Sequence, residues 1–213
     1  MPPTLPDRER RRALGAIAAA CLCPGALAPG PLRAQTAFDL TQLMQTLAQV
    51  HSGEATFVET RNVAMLERPL ESSGRLSFQA PDTFVRETLS PRHERMAIVG
   101  NTLTMSLGNR SRTVPLDSVP EASLIMEAIR GTLTGDREAL ERNFSTSVSG
   151  TAQRWTLNLV PREERVREKV AALRVSGQQA ALREVTVALA DGDKSVMTIE
   201  PVTASARPAS AAN

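Results

Sequence analysis

The residues from which catalysis could be built are few and scattered. Histidine occurs only at His51 and His93, cysteine only at Cys21 and Cys23, and the acids Glu67, Glu71 and Glu87 fall at no spacing that pairs two carboxylates for acid–base work. His51 stands where a helical pattern stops and His93 follows Pro91 and Arg92, so both read as surface residues rather than bases. Nothing matches a zinc-binding His-Glu-x-x-His, a Cys-x-x-Cys pair, a Gly-x-Ser-x-Gly elbow or a phosphate-binding glycine loop. Asp191-Gly192-Asp193 offers oxygens without the ligand spacing of a calcium loop, and between two strand-like runs it predicts a hairpin turn. The expectation is therefore a chain that is not an enzyme and takes no metal or cofactor.

What the sequence does offer is apolar alternation. Leu76, Phe78 and Ala80 share one face of a period-two run that breaks at Pro81, and Phe84 follows. Two phenylalanines six residues apart are notable in a chain with only five Phe, one Trp and no Tyr. Met96 with Ile98, Leu103 with Met105, and Trp155 with Leu157 repeat the pattern, and Phe57 has the same parity in its own run. Packing against helices as an ordinary core is one reading of these faces. The other is a cavity wall, whose chemistry is to hide apolar cargo from water, and the flexible thioethers of Met65, Met96, Met105 and Met126 suit a surface that accepts variable shapes.

The elements that must position these residues are short strands. Period-two runs are predicted at 54–61, 74–80, 84–89, 95–99, 102–107, 111–116, 154–160, 172–175, 182–189 and 195–202, about ten in all. Turn residues at 99–102, 107–110, 176–178 and 190–193 join neighbours as hairpins, which makes the sheet antiparallel. Helical spacing appears at 39–50, with Asp39 placed to cap, at 120–133, where Leu124, Ile125 and Ile129 share a face, and more briefly at 137–143. A sheet of that many antiparallel strands curls or closes. The economical architecture is mainly β: a curved or partly closed barrel with the helices laid over its concave face, a shell able to hold a ligand instead of a solid core.

The first 34 residues read differently. Arg8, Arg10, Arg11 and Arg12 precede an apolar run at 13–23 that is closed by Pro24, Pro29 and Pro31, the layout of an export signal. The run is well short of the ~20 residues needed to span a bilayer. Cleavage is expected after Ala34; acylation of Cys21 within a degenerate lipobox is the alternative, and the arginine pair leaves a twin-arginine route open. Removing 1–34 takes five arginines and two acids and changes the net charge from +2 to −1. It also removes both cysteines. The expected domain, 35–202, then has no disulfide and no electrostatic reason to bind nucleic acid, and 203–213 is expected to be a disordered tail.

The segments "ATFVETR" (55–61), "PLESSG" (69–74), "SGRLSFQAPDTF" (73–84), "VGNTLTM" (99–105), "LTGDREALERNF" (133–144) and the "DGD" hairpin (191–193), behind an opening amphipathic helix, resemble the outer-membrane lipoprotein carrier family, in a divergent LolA-like branch. The resemblance covers about 38–201. It implies an incomplete antiparallel β-barrel covered by a helical lid over an apolar cavity, in a periplasmic, monomeric carrier that shields the acyl chains of a lipoprotein or lipid between an inner-membrane donor and an outer-membrane acceptor. On that reading Phe57, Leu76, Phe78, Phe84, Met96, Ile98, Leu103, Met105, Trp155 and Leu157 would line the acyl cavity, and Leu124, Ile125 and Ile129 would belong to the lid. Family members have a lid-latching arginine directly before the proline; here that position is Ala80. The second functional reading is a sensor or structural module that binds a lipid or protein on the same fold without transporting it.

Overall fold

The computed structural model describes residues 38–202; the expected export segment 1–34 and tail 203–213 lie outside the described residues. Eleven strands form one antiparallel sheet. In chain order they are β1 (Ser52–Asn62), β2 (Leu70–Gln79), β3 (Thr83–Ser90), β4 (Glu94–Val99), β5 (Thr102–Leu107), β6 (Arg110–Pro115), β7 (Phe144–Thr151), β8 (Arg154–Pro161), β9 (Val170–Gln178), β10 (Ala181–Leu189) and β11 (Lys194–Pro201). Across the sheet they run β6-β5-β4-β3-β2-β1-β11-β10-β9-β8-β7. Two meanders of consecutive hairpins thus meet at a single seam, where β1 pairs with β11 from Ala55↔Pro201 to Asn62↔Lys194. β6 and β7 have one partner each, so the barrel stays unclosed.

Helices α1 (Leu40–Leu47), α2 (Pro120–Thr134) and α3 (Arg137–Asn143) cover one face, and a short α4 (Glu164–Arg167) joins β8 to β9. Asp39 caps α1 by accepting from Gln42 N at 2.8 Å, and Asp136 caps α3 by accepting from Ala139 N at 2.9 Å, each satisfying an amide with no partner inside its helix. α1 ends three residues before the periodicity does: Ala48 N makes the last helical bond, to Met44 O, and Val50 N then bonds to Leu47 O in a tighter turn that leads into β1.

The sequence accounts for ten of the strands. β7 escaped because FSTSVSGT is polar and small; its pairing with β8, not its own propensity, makes it a strand. The expected turn at 190–193 is present, with Asp193 N donating to Asp191 Oδ1. Asp193 is nevertheless buried, because its carboxylate accepts from Ala64 N at 2.9 Å and pins the loop after β1.

Glycine faces an aromatic across a strand pair at Phe57↔Gly74, Phe78↔Gly53, Trp155↔Gly150 and Trp155↔Gly177. A Cβ on Gly74 would sit 1.9 Å from Glu87 O on β3, and one on Gly177 would sit 2.4 Å from the Trp155 ring. Only glycine permits these approaches. A β2–β3 register shift falls at Ser73/Gly74.

The helices and the inward side chains make two buried clusters. The larger holds Leu43 and Leu47 of α1, Leu124 and Ala128 of α2, Leu140 of α3, and Phe144, Trp155, Leu157, Leu159, Leu173 and Val175 of the second meander. The smaller holds Ile98, Leu103, Leu116 and Met126. Between them the helices leave a gap.

Candidate functional site

That gap is a cavity of about 710 Å³, within the range of ~300–1,000 Å³ typical of small-molecule sites. Its floor is the concave face of the sheet on both sides of the seam: Ala55 of β1, Leu76 and Phe78 of β2, Phe84 of β3, Met96 and Ile98 of β4, Leu182, Val185 and Val187 of β10, and Met197 and Ile199 of β11. Strand pairing puts these residues side by side, with Ala55 opposite both Leu76 and Pro201, Phe78 opposite Phe84, and Phe84 opposite Ile98. The roof is one stripe of α2, Ala122, Ile125, Met126, Ile129 and Leu133, at helical spacing. α2 is also fastened to the sheet by Arg130, whose Nη2 donates to Gly100 O in the β4–β5 turn at 2.9 Å. Ala80 makes only a backbone bond, its N donating to His51 O.

Of the residues expected at the cavity, Leu76, Phe78, Phe84, Met96, Ile98, Ile125 and Ile129 line it. The others are placed elsewhere. Trp155 and Leu157 have the right parity but lie under α1 and α3, fully buried in the larger cluster, with Trp155 Nε1 donating to Gln179 O at 2.8 Å. Leu103 is sealed in the smaller cluster. Met105 is 40% exposed near the β6 edge. Leu124 points from the opposite side of α2 into the larger cluster. Phe57 faces inward but is covered by the Arg86 guanidinium, whose carbon lies 4.8 Å from the ring centroid.

Arg86 belongs to a polar cluster that the sequence reading missed. Its Nη2 donates to Glu59 Oε2 at 2.5 Å and to Ser72 Oγ at 3.2 Å, while Ser195 Oγ donates to Glu59 Oε1 across the seam. Arg86 and Glu59 are about one quarter and one fifth exposed, so each charge has lost much of its water and depends on the other. Further along, Arg61 Nη2 lies 3.5 Å from Asp193 Oδ2. The parity of Phe57 and Phe84 was the available signal, since Glu59 and Arg61 share the Phe57 face and Arg86 shares the Phe84 face. Lys169, Asp191 and Lys194 complete the lining at this end. The cavity is therefore apolar beneath α2 and ionic at the β10–β11 hairpin.

The two expected surface histidines are both exposed. His93 Nε2 lies 3.0 Å from Glu87 Oε1, and that hydrogen bond, aided by the charges of His93, Arg75 and Arg95, holds the Glu87 carboxyl below its ordinary range against the opposing effect of desolvation. Glu87 and His93 are not among the residues lining the cavity.

An unclosed barrel whose open face is roofed by one helix defines a class of shells with an interior surface able to hold a ligand. The chain belongs to the outer membrane lipoprotein carrier protein LolA-like family, whose model matches residues 33–213. No curated protein sequence matches it. Among solved structures it is similar to a LolA superfamily protein from Nitrosomonas europaea (8% identity, TM-score 0.40, covering 77% of this chain and 92% of that one). It is also similar to LprF from Mycobacterium bovis (12%, TM-score 0.34, 76% and 91%) and to a DUF1329 family protein from Desulfovibrio piger (10%, TM-score 0.45, 76% and 88%). No helix among the described residues is long and apolar enough to cross a membrane.

Proposed function

We propose that the protein is a periplasmic carrier that holds the acyl chain of a lipoprotein or lipid in the cavity beneath α2 while it moves between membranes, a binding role and not a catalytic one. The observation that carries this reading is the cavity itself: about 710 Å³ of space floored by Phe78, Phe84, Ile98 and Val185 and roofed by Ile125 and Ile129. Transfer of an acyl chain from water is worth ~0.8 kcal/mol per CH₂, so such a lining binds through area and needs little directed chemistry. Export rests on the arginines at 8–12 and the apolar run behind them, and lipoprotein cargo rests on the family.

Phe84 tests the reading. Phe84→Glu places a carboxylate where the chain would lie, on a wall that is open to hydration, so the melting transition should be largely kept while binding of a fluorescent fatty acyl probe falls about tenfold or more. Wild-type affinity in a folded Phe84→Glu variant would sink the proposal. Native mass spectrometry of the protein from its own host, with the bound lipid extracted and identified, would name the cargo.

A further inference from the structure

The cavity is segregated by charge in a way that acyl-chain storage alone does not require. The chain has two lysines, Lys169 and Lys194, and both line the cavity, at the start of β9 and the start of β11. Arg61 and Arg86 join them at the same end, so four cations face Glu59, Asp191 and Asp193. The other two acids of the lining belong elsewhere, Glu54 to the far end of β1 and Glu121 to the first turn of α2.

The carboxylates at the ionic end are already engaged. Glu59 accepts from Arg86, Ser72 and Ser195, Asp193 accepts from Ala64 N and meets Arg61, and Asp191 accepts from Asp193 N. The cations are less completely used. Arg86 Nε is buried without a hydrogen-bond partner, and neither lysine is ion-paired among the described residues. A buried guanidinium donor without an acceptor is costly, and an anionic oxygen is the acceptor that relieves it best. Placement supports the same conclusion. α2 crosses the sheet over Phe78 and Phe84, where Met126, Ile129 and Leu133 meet them, whereas Arg61 and Lys194 at the other end of the paired strands β1 and β11 are exposed.

We infer that the cationic end of the cavity is a binding site for the anionic head, phosphate or carboxylate, of a single acylated amphiphile whose chain lies toward Phe78 and Phe84. The inference rests on the acyl-carrier reading and adds a direction to it: chain inward beneath α2, head at the β10–β11 hairpin. Arg86, Lys169 and Lys194 contact the head, and Glu59 positions Arg86 against the Phe57 ring.

The test uses the purified, delipidated full chain and displacement of a neutral pyrene-labelled monoacylglycerol. The competitors are palmitoyl lysophosphatidic acid, palmitoyl lysophosphatidylcholine, monopalmitoylglycerol and inorganic phosphate alone. The anionic lipid should compete about tenfold better than the neutral one, with the advantage shrinking as salt rises, and inorganic phosphate should not displace the reporter. In Lys169→Gln/Lys194→Gln, whose changes are at exposed positions and spare the fold, the advantage should fall to about threefold or less. Glu59→Gln/Arg86→Met removes the ion pair together and should abolish the advantage, read as the ratio of anionic to neutral competition within the same variant. Equal competition by all three lipids, an advantage unchanged in both double variants, or displacement by inorganic phosphate at the concentration of the lipids would overturn the inference. If the reporter binds and no head preference appears, the inference alone falls; if the reporter does not bind, the carrier reading falls with it.

Discussion

Two regions of the sheet carry the same alternation and put it to opposite uses: β7 to β9 on one side, and β1 to β4 with β10 and β11 on the other. In the second meander, Trp155, Leu157, Leu159, Leu173 and Val175 point inward and are met by α1, α3 and one side of α2, so the space is filled. In the first meander, Leu76, Phe78, Phe84, Met96 and Ile98 point inward with equal regularity, but α2 is the only helix whose residues line the cavity with them. Whether an inward residue is core or wall is decided by how many helices stand opposite it, a property of the chain's layout and not of the strand that bears it.

The comparison breaks most readily under truncation. Leu157→Ala on the filled side should cost about 2–5 kcal/mol in urea unfolding, because the vacated volume cannot collapse. Ile125→Ala on the roof should cost less than about 1 kcal/mol while weakening probe binding, since Ile125 already borders empty space. Similar losses at the two sites would mean that the cavity closes in solution. Gly74→Ala comes next. Its Cβ has nowhere to go against Glu87 O, so β3 must shift, and unfolding should show a loss of about 1–3 kcal/mol together with reduced probe binding, because Phe84 and Arg86 ride on the displaced strand. Arg130→Met should cost about 1 kcal/mol or less, the usual worth of one hydrogen bond, but should speed deuterium exchange across α2 and raise the rate at which the probe enters. Unchanged exchange would show that the Gly100 bond does not hold the roof.

The smallest effect lies at Glu87 and His93. The folded carboxyl titrates below its unfolded value, so whatever stability the pair adds is present above the unfolded pKa and lost as pH falls through the folded one. In His93→Ala the Glu87 titration followed by NMR should return toward the ordinary carboxylate range, with no measurable change in melting temperature or in probe affinity.

The strands of both meanders were legible because Leu76, Phe78, Trp155 and Leu157 alternate strictly and Gly or Asn marks the turns. The filled half and the open half could not be told apart from the sequence, because both present the same parity. The pairing of β1 with β11 is set by residues that stand far apart in the chain, and without it the β10–β11 hairpin that carries Val185, Met197 and Ile199 has no assigned place beside Ala55 and Leu76. Glu59 and Arg86 are the instructive omission. Their parity was visible, but register alone sets Glu59 opposite Ser72 and Arg86 opposite Leu76, four residues along β2, and only the length of the Arg86 side chain brings the two charges together. β7 was illegible for the reverse reason, since Ser and Thr carry no pattern until a partner strand supplies one.

The seam also sets an order on how the molecule is made. Among the described residues β1 is the first strand and β11 the last, yet Ala55 pairs with Pro201 and Phe57 with Ile199. Closing a loop of that length costs more entropy than any hairpin in either meander, and contacts of such wide sequence separation are the slow ones in folding. Each meander can zip locally, but Glu59 meets Ser195, and the two sides of the cavity floor meet each other, only when the final strand docks. A chain stopped short of β11 would hold two unjoined hairpin arrays without a vessel, so the capacity to take up a ligand reports on the docking of β11.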